Sequence, residues 1–132
     1  TYSDIMSRFP IEKTEGRELP VPEAWRPDLK RLADALVFQS ELAGVCQQMV
    51  LDPIDTADLD FNRKSIAAYP DTIGALNARA WLSSVYVWQG GHWDLLVDLS
   101  TAEGETSDLV FHLKVRERSA VYYVAPGLVY VP

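Results

Sequence analysis

The sequence predicts an α+β protein in which N-terminal helices pack on one face of a C-terminal four-stranded antiparallel meander. Apolar residues recur at helical spacing within residues 23–76, whereas within residues 81–131 they alternate with polar residues at the period of a strand. A chain of 132 residues with 48% hydrophobic side chains is also large enough for one core. We therefore expect a single domain that spans residues 1–132.

Residues 1–22 are rich in proline and charge, and they predict an irregular N-terminal arm. The first helix is expected in PEAWRPDLKRLADALVF, where Pro27 is tolerated in the first turn and Asp28 suits the positive end of the helix dipole. Four apolar residues recur there at helical spacing, namely Trp25, Leu29, Leu32 and Leu36.

A second helix is predicted over residues 40–53, with Ser40 as the N-cap and Asp52-Pro53 as the stop signal. Its apolar face would carry Leu42, Val45, Cys46, Met49 and Val50. The chain then reads as an acidic loop (DPIDTADLDF), a short helix (NRKSIAAY) that ends before Pro70, and one more turn (DTIGAL).

Four segments alternate as half-buried strands: WLSSVYVW, HWDLLVDL, SDLVFHLKVRE and AVYYVAPGLVYV. If Gly90 and Gly91 occupy the centre of a type I′ or II′ turn, Trp88 faces Trp93 and Tyr86 faces Leu95. All these side chains then share one face. The two glycines are therefore explained by a hairpin, without any ligand.

The next connection, STAEGETS, suggests a register in which Leu99 pairs with Leu109. That register sets Asp94 opposite Lys114 and Leu96 opposite His112 on the outer face of the sheet. In the last strand, Ala125-Pro126-Gly127 predicts a bend or an edge position.

The net charge is −7, and residues 52–108 account for it with ten acidic and three basic side chains. Such a surface repels phosphate backbones and favours basic partners, so nucleic-acid binding is not expected. The alternative is that the acids only keep the protein soluble. No segment is long and apolar enough for a membrane span, no signal peptide is visible, and the lone Cys46 predicts a cytoplasmic location.

No catalytic or metal-binding motif stands out in the sequence. The densest carboxylate cluster fits no EF-hand spacing, and two dissimilar histidines, His92 and His112, are too few for a zinc site. Ser83 and Ser84 have no evident base, and Cys46 is expected in the core. We therefore expect no enzyme activity, no metal and no cofactor. The cluster consists of Asp94, Asp98, Glu103, Glu105 and Asp108.

The outer face of the predicted sheet is partly apolar. By alternation it carries Val85, Val87, Leu96 and Val110 beside charged residues, which is typical of a recognition surface. An equally good alternative is that the arm folds over these residues, using Ile5, Met6 and Phe9.

The run WLSSVYVWQGGHWDLLVDLSTAEGETSDLVFHL resembles a small bacterial domain family of unknown function, whose hairpins carry a similar tryptophan, L-V-D-L and S-D-L pattern. That resemblance implies no mechanism and no site residues. In size, acidity and α+β make-up, the chain is also similar in type to the immunity proteins that bacteria make against their own toxins.

These observations predict a non-catalytic immunity or inhibitor protein that binds a toxin or effector enzyme with a basic cleft. Carboxylates would steer association and pair with Arg or Lys on the partner. Two alternatives remain: a ligand-binding or enzymatic domain whose pocket exposes Tyr86, Ser84 or Tyr123, and a homodimeric module that pairs through its outer face or last strand. The candidate partner-binding residues are Asp52, Asp55, Asp58, Asp60, Glu103, Glu105 and Asp108.

Overall fold

A computed structural model describes residues 11–132, which form two α-helices and a six-stranded mixed sheet. Ile5, Met6 and Phe9, the arm residues proposed to cover the sheet, lie outside the described residues. The helices are α1 (Arg26–Val37) and α2 (Thr56–Ala68), with short 3₁₀ turns at Glu23–Trp25 and Ala78–Leu82. The strands are β1 (Leu19–Pro20), β2 (Val50–Leu51), β3 (Val85–Trp88), β4 (Trp93–Ser100), β5 (Thr106–Arg118) and β6 (Val121–Tyr130).

The α+β class is confirmed, but the prediction of a four-stranded antiparallel meander is wrong. The strand order is β1-β3-β4-β5-β6-β2, and β2 runs parallel to β6. β3 to β6 do pair consecutively and antiparallel. The two extra strands come from segments predicted as arm and helix. Each contributes only two residues to a sheet edge, which is too short to leave an alternating pattern in the sequence.

The hairpin between β3 and β4 has the predicted register. Tyr86 pairs with Leu95 and Trp88 with Trp93, and the Gln89 N–H donates to the His92 carbonyl at 2.8 Å. Gly90 has a φ of 92°, whereas Gly91 is not among the residues with positive φ. One positive φ at the first central position is the pattern of a type II′ turn, which matches the right-handed twist of the strands.

The first predicted strand is too long at its start. β3 begins at Val85, because Trp81 and Leu82 belong to the preceding 3₁₀ turn. The Ser84 hydroxyl donates to the Ala80 carbonyl at 2.7 Å and accepts from the Asp98 N–H at 2.9 Å. Ser84 therefore joins the turn to β4.

The β4–β5 register is predicted correctly at one end and wrongly at the other. Asp94 pairs with Lys114 and Leu96 with His112, as expected. The Leu99–Leu109 pair does not form, because an irregularity after Asp98 shifts the register so that Ser100 faces Thr106. A second register shift, between Phe111 and Leu113, lies opposite Pro126-Gly127, where the sequence indicates a bend.

The inner face of the sheet is covered by α1 and holds the core. Trp25, 2% exposed, packs edge-on against three rings at centroid distances of 5.3–5.8 Å. Edge-to-face ring pairs of this kind contribute about 1 kcal/mol each beyond area burial. The three rings belong to Tyr86, Trp93 and Tyr122.

Residues 11–20, which belong to the predicted arm, are held beside this aromatic cluster by several contacts. The Trp93 indole N–H donates to the Glu12 carbonyl at 2.8 Å. The Lys13 ammonium lies 5.3 Å from the centre of the Trp88 ring and forms an ion pair with Glu117 at 3.1 Å. Residues 11–20 therefore close the end of the sheet at which β4 begins.

The predicted helix over residues 40–53 is wrong, and the reason lies in Asp28. Its carboxylate, 1% exposed, accepts backbone N–H groups from Gln47, Gln48 and Met49 at 2.7–2.9 Å. In a helix those N–H groups would bond to carbonyls four residues earlier. Gly44 also adopts a φ of 80°, outside helical geometry.

Burial would raise the pKa of Asp28, but hydrogen bonds to the carboxylate outweigh it, so that the pKa lies below its ordinary value. The donors are the N–H groups of Gln47, Met49 and Gln48, together with Arg31 at 2.8 Å. The Asp28 carboxylate thus holds the loop against α1 and positions β2 beside β6.

α2 is longer than predicted, because Asp55 caps it. The Asp55 carboxylate accepts the N–H groups of Ala57 and Asp58 at 2.8 and 3.2 Å, so the helix begins inside the predicted acidic loop. On the buried side, the Asn62 amide donates to the Gly127 carbonyl at 2.8 Å and accepts the Val129 N–H at 2.7 Å. Asn62 therefore occupies hydrogen-bonding groups on the edge of β6.

The substitution Asp28→Asn tests the role of this carboxylate. Removing the charge from a carboxylate that accepts three backbone N–H groups is expected to lower the free energy of unfolding by about 3 kcal/mol in urea denaturation. Asp60→Asn, an exposed aspartate of α2, is the matched control and is expected to change it by less than about 0.5 kcal/mol. Equal effects of the two substitutions would contradict this assignment.

The same variant has a predicted pH dependence. Because the pKa of Asp28 is lower in the folded chain than its ordinary 3.8, its stabilising contribution is present above that value and is lost as pH falls through the folded-state pKa. The difference in unfolding free energy between wild type and Asp28→Asn should therefore shrink in acid. A difference that stays constant down to the acid transition would rule this out.

The β5–β6 hairpin turns through two non-glycine residues with positive φ, Ser119 at 53° and Ala120 at 62°. Left-handed geometry at both positions favours Asn-Gly. The double substitution Ser119→Asn/Ala120→Gly is expected to raise the unfolding free energy by about 1 kcal/mol. Ala67→Gly in α2 makes the same Ala→Gly change at a helical position and should lower it by about 1 kcal/mol. A loss of stability in the hairpin variant would show that the turn is not strained.

Candidate functional site

Two segments far apart in the sequence meet at the end of the sheet where β4 runs into β5. Ile73 forms a bridge with Thr101, the Gly74 N–H donates to the Ser100 carbonyl at 2.9 Å, and the Ala102 N–H donates to the Thr72 carbonyl at 2.8 Å. The contact is close, because a Cβ on Gly74 would lie 2.8 Å from the Cα of Ala102. The two segments are thus held together by backbone contacts.

The turn between β4 and β5 is held by several hydrogen bonds. The Thr101 N–H donates to the Glu105 carbonyl at 2.8 Å, and the Thr101 hydroxyl accepts the Glu105 N–H at 3.0 Å. Gly104 has a φ of 93°, and its carbonyl accepts the Asn77 side-chain amide at 2.9 Å. Because the backbone of the turn is fixed, the carboxylates on it project from defined positions.

An open groove of about 470 Å³ lies between the two segments; we call it the acidic groove. Three of its side chains are exposed carboxylates, from Asp71, Glu103 and Glu105. Arg79 lies beside it, 3.7 Å from Glu105, in an exposed ion pair of the kind that contributes little free energy. The groove is lined by Pro70, Asp71, Thr72, Thr101, Ala102, Glu103 and Glu105.

Asp108 lies close to this groove. The Tyr69 hydroxyl donates to the Asp108 carboxylate at 3.3 Å and accepts the Asp108 N–H at 3.0 Å. Tyr69 directly precedes Pro70 of the groove, so Asp108 extends the same negative surface. Glu103, Glu105 and Asp108, three of the seven candidate partner-binding residues, are thereby brought together.

The other four candidate residues lie elsewhere, around the start of α2. Asp52 forms an ion pair with Arg116 at 2.8 Å, and Asp55 caps the helix. Asp58 is half-buried and Asp60 is exposed. Tyr69 follows the far end of the same helix, whose 13 residues span about 20 Å. The seven candidates therefore form two separate groups.

Sequence reasoning missed Asp71 as a member of the site. The segment DTIGAL predicts only a turn, and the alternation of β4 and β5 gives no indication of which segment lies against their connection. The bridge between Ile73 and Thr101 joins residues 28 positions apart through a single pair. A contact of that kind leaves no periodic signal.

A second polar cluster lies on the outer face of the sheet. Here the structure brings together two histidines that no pattern in the sequence connects. The Nε2 atoms of His92 and His112 lie 3.2 and 3.1 Å from the same Asp94 oxygen. Burial would raise the pKa of Asp94, but the two histidines outweigh it, with His112 the larger influence, and the pKa is lowered. Asp94 therefore ties the β3–β4 hairpin to β5 through the two histidines and forms no ion pair with Lys114, its cross-strand neighbour.

Within the part of the chain that the structure describes, no three His, Cys, Asp or Glu side chains are arranged to hold a metal ion. The residues named for a ligand pocket do not converge either. Tyr86 packs in the inner aromatic cluster, Ser84 is buried against the 3₁₀ turn, and Tyr123 pairs with Arg116 on the outer face. Burial, and then the charge of Asp28, raise the pKa of the Cys46 thiol to about 11, so it is protonated at neutral pH.

One comparison with known proteins gives a match. The family model described as a domain of unknown function, DUF7668, matches residues 39–132. No curated protein and no solved structure is detectably similar to the chain. Across residues 11–132, neither helix is long and apolar enough to cross a membrane.

The matched range omits α1, although α1 covers the inner face of the sheet. A chain of residues 39–132 would expose Trp93, Leu95 and Phe111, which are at most 1% exposed in the full chain. We expect this fragment to lack a cooperative unfolding transition, because burial of each large apolar side chain contributes about 2 kcal/mol. Circular dichroism during urea denaturation measures this, with residues 11–132 as the control. Cooperative unfolding of residues 39–132 alone would contradict the essential role of α1.

Proposed function

The chain belongs to the DUF7668 family, and we propose that it is a non-catalytic binding protein that recognises a basic protein partner through the acidic groove. The observation that carries this proposal is the convergence of Asp71, Glu103 and Glu105 on a groove whose backbone is fixed by hydrogen bonds. These carboxylates are exposed, so a partner can reach them.

The groove suits arginine or lysine side chains. A carboxylate accepts two parallel N–H bonds from a guanidinium, and the exposed Thr72 hydroxyl offers a further acceptor beside it. Each exposed pair at 4 Å contributes about 1 kcal/mol. Affinity would therefore come from several pairs acting together, and the net charge of −7 would speed the encounter.

We further propose that the partner is an enzyme with a basic cleft, such as a toxin or effector, and that binding neutralises it as an inhibitor or immunity protein does. An acidic protein seated in such a cleft excludes the enzyme's anionic substrate by volume and by charge. Action in a reducing cytoplasm is consistent with the single Cys46, whose thiol stays protonated.

Charge reversal in the groove tests the first part of the proposal. The variant Glu103→Lys/Glu105→Lys and the control Glu18→Lys/Glu41→Lys change the net charge equally, and all four residues are exposed. Surface plasmon resonance would measure binding of a synthetic arginine-rich peptide at low and physiological ionic strength. We expect the groove variant to lose about tenfold in association rate, and the control to lose much less.

Two results would contradict a role for the groove. If both variants weaken binding equally, only the net charge matters; if the wild type does not bind the peptide, the groove does not recognise cationic side chains. The inhibitory role is tested separately with the same three proteins as affinity baits. We expect a basic enzyme that is retained by wild type and control, lost from the groove variant, and inhibited at one-to-one stoichiometry. A retained partner that keeps full activity would refute inhibition.

A further inference from the structure

A second pocket lies between the C-terminal ends of α1 and α2; we call it the helix-end pocket. Its volume of about 400 Å³ lies within the range of about 300–1,000 Å³ that is typical of ligand-binding pockets. Its walls include buried Leu36 and Ile73 and half-buried Ile66, and residues 70–72 separate it from the acidic groove. The helix-end pocket therefore has the size and the apolar walls that a small molecule needs.

Arg63 brings to this pocket a positive charge that the chain does not neutralise. Within residues 11–132, Arg63 forms no ion pair, and its guanidinium makes one hydrogen bond, from Nη2 to the Ser40 carbonyl at 2.9 Å. The Nε atom is buried without a hydrogen-bond partner. Buried donors in native proteins are nearly always hydrogen-bonded, and the exceptions often have a functional role. The guanidinium thus retains donors for an anionic group such as a carboxylate.

Asp71 brings the opposite charge to the same pocket. Its carboxylate is exposed and, within the described part of the chain, has neither a hydrogen bond nor an ion pair. Asp71 and Arg63 therefore line one cavity without neutralising each other. Opposite charges that stay apart across a pocket favour a ligand that carries both charges. A purely anionic ligand such as phosphate would be repelled by Asp71 and by the net charge of −7.

Gln39 also lines the pocket, at a backbone position that favours glycine. It follows the C-cap of α1 and has a φ of 57°. The Ser40 N–H donates to the Ala35 carbonyl at 2.8 Å, as in the Schellman ending of a helix, where the left-handed residue is usually glycine. Strained residues of this kind cluster at ligand-binding sites. The side-chain amide of Gln39 has no partner within residues 11–132, so it is free to contact a ligand.

We propose that the helix-end pocket binds a small zwitterion, in which an apolar chain joins a carboxylate to an ammonium group. The carboxylate pairs with Arg63 and accepts a hydrogen bond from the Gln39 amide, and the ammonium pairs with Asp71. The apolar chain lies against Ile66 and Ile73. Since a water molecule occupies about 30 Å³, the pocket holds a ligand of about a dozen non-hydrogen atoms. This inference does not depend on the proposed function, because it needs no protein partner.

Amide NMR spectra of the isotope-labelled full chain test the proposal with three probes of matched length: ε-aminohexanoate, hexanoate and hexylamine. We expect ε-aminohexanoate to shift the resonances of residues that line the helix-end pocket, with a dissociation constant in the millimolar range. Hexanoate and hexylamine each lack one of the two charges, so each is expected to bind about fivefold more weakly.

Substitutions of the two charged residues identify the site. Arg63→Met and Asp71→Asn are each expected to weaken the binding of ε-aminohexanoate about fivefold. Two controls make the same changes of charge outside the pocket and should change binding by less than about twofold. One is Lys64→Met, at an exposed residue of the same helix. The other is Glu41→Gln, in a neighbouring cavity that Gln39 and Arg63 also line.

Gln39→Gly separates a binding role from a structural one. The substitution relieves the strained φ, so we expect it to raise the melting temperature by about 4 °C. It also removes the amide, so it should weaken the binding of ε-aminohexanoate about threefold. The acidic-groove variant Glu103→Lys/Glu105→Lys changes no residue of this pocket and should leave the binding of this net-neutral probe unchanged. The two proposals can therefore fail separately.

Four results would overturn the proposal. The first is that ε-aminohexanoate leaves the pocket resonances unchanged at tens of millimolar, and the second is that hexanoate or hexylamine binds as tightly as ε-aminohexanoate. The third is that Lys64→Met weakens binding as much as Arg63→Met. The fourth is a larger loss in Glu41→Gln than in Asp71→Asn, which would place the ligand in the neighbouring cavity.

Discussion

The structure depends most on the contact between Trp25 and Trp93. These rings pack edge-on at 5.4 Å and are 2% and 0% exposed. Trp25 stands where the 3₁₀ turn leads into α1, so its position fixes where α1 crosses the sheet. Since the helix buries the inner face, the charged rows of β4 and β5 point outward and the connections between strands stay at the sheet ends. The acidic groove and the outer face both follow from this arrangement.

The aromatic contact is also the reason why we expect the family-matched region not to fold by itself. Residues 39–132 supply the sheet and α2, while Trp25, Leu29 and Leu32 come from before that range. Asp28 extends the dependence on α1 to the loop over residues 47–49, because its buried carboxylate replaces the hydrogen bonds that a second helix would have made. A single helix therefore organises both the core and the edge strand β2.

Local patterns in the sequence predicted those parts of the fold that local forces determine. Alternation placed β4 and β5, the Gly90-Gly91 pair fixed the first hairpin, and helical spacing placed α1. The segment over residues 40–53 has a helical pattern too, but three of its N–H groups bond to Asp28, a partner more than 18 residues away. Helix propensity is a local property, so it cannot predict that a distant side chain will compete for these N–H groups.

The candidate site shows the same division between local and long-range information. The sequence shows that acidic residues are abundant in the middle of the chain. It does not show which of them cap a helix or form an ion pair and which of them line the groove. Asp55 caps α2, and Asp52 forms an ion pair with Arg116. The bridge between Ile73 and Thr101, in contrast, brings Asp71 close to Glu103 and Glu105. Each of these outcomes depends on partners distant in sequence or on the start of a helix. The composition predicted an acidic surface, and the fold determined where the acidic groove lies.

The measurement that most directly tests the central claim is hydrogen–deuterium exchange, read by mass spectrometry, of the full chain with and without a synthetic arginine-rich peptide. The account predicts slower exchange in segments 69–74 and 100–108, which form the acidic groove, and unchanged exchange in the β5–β6 hairpin around Ser119. Protection confined to the start of α2, or to the outer strands away from the groove, would contradict it.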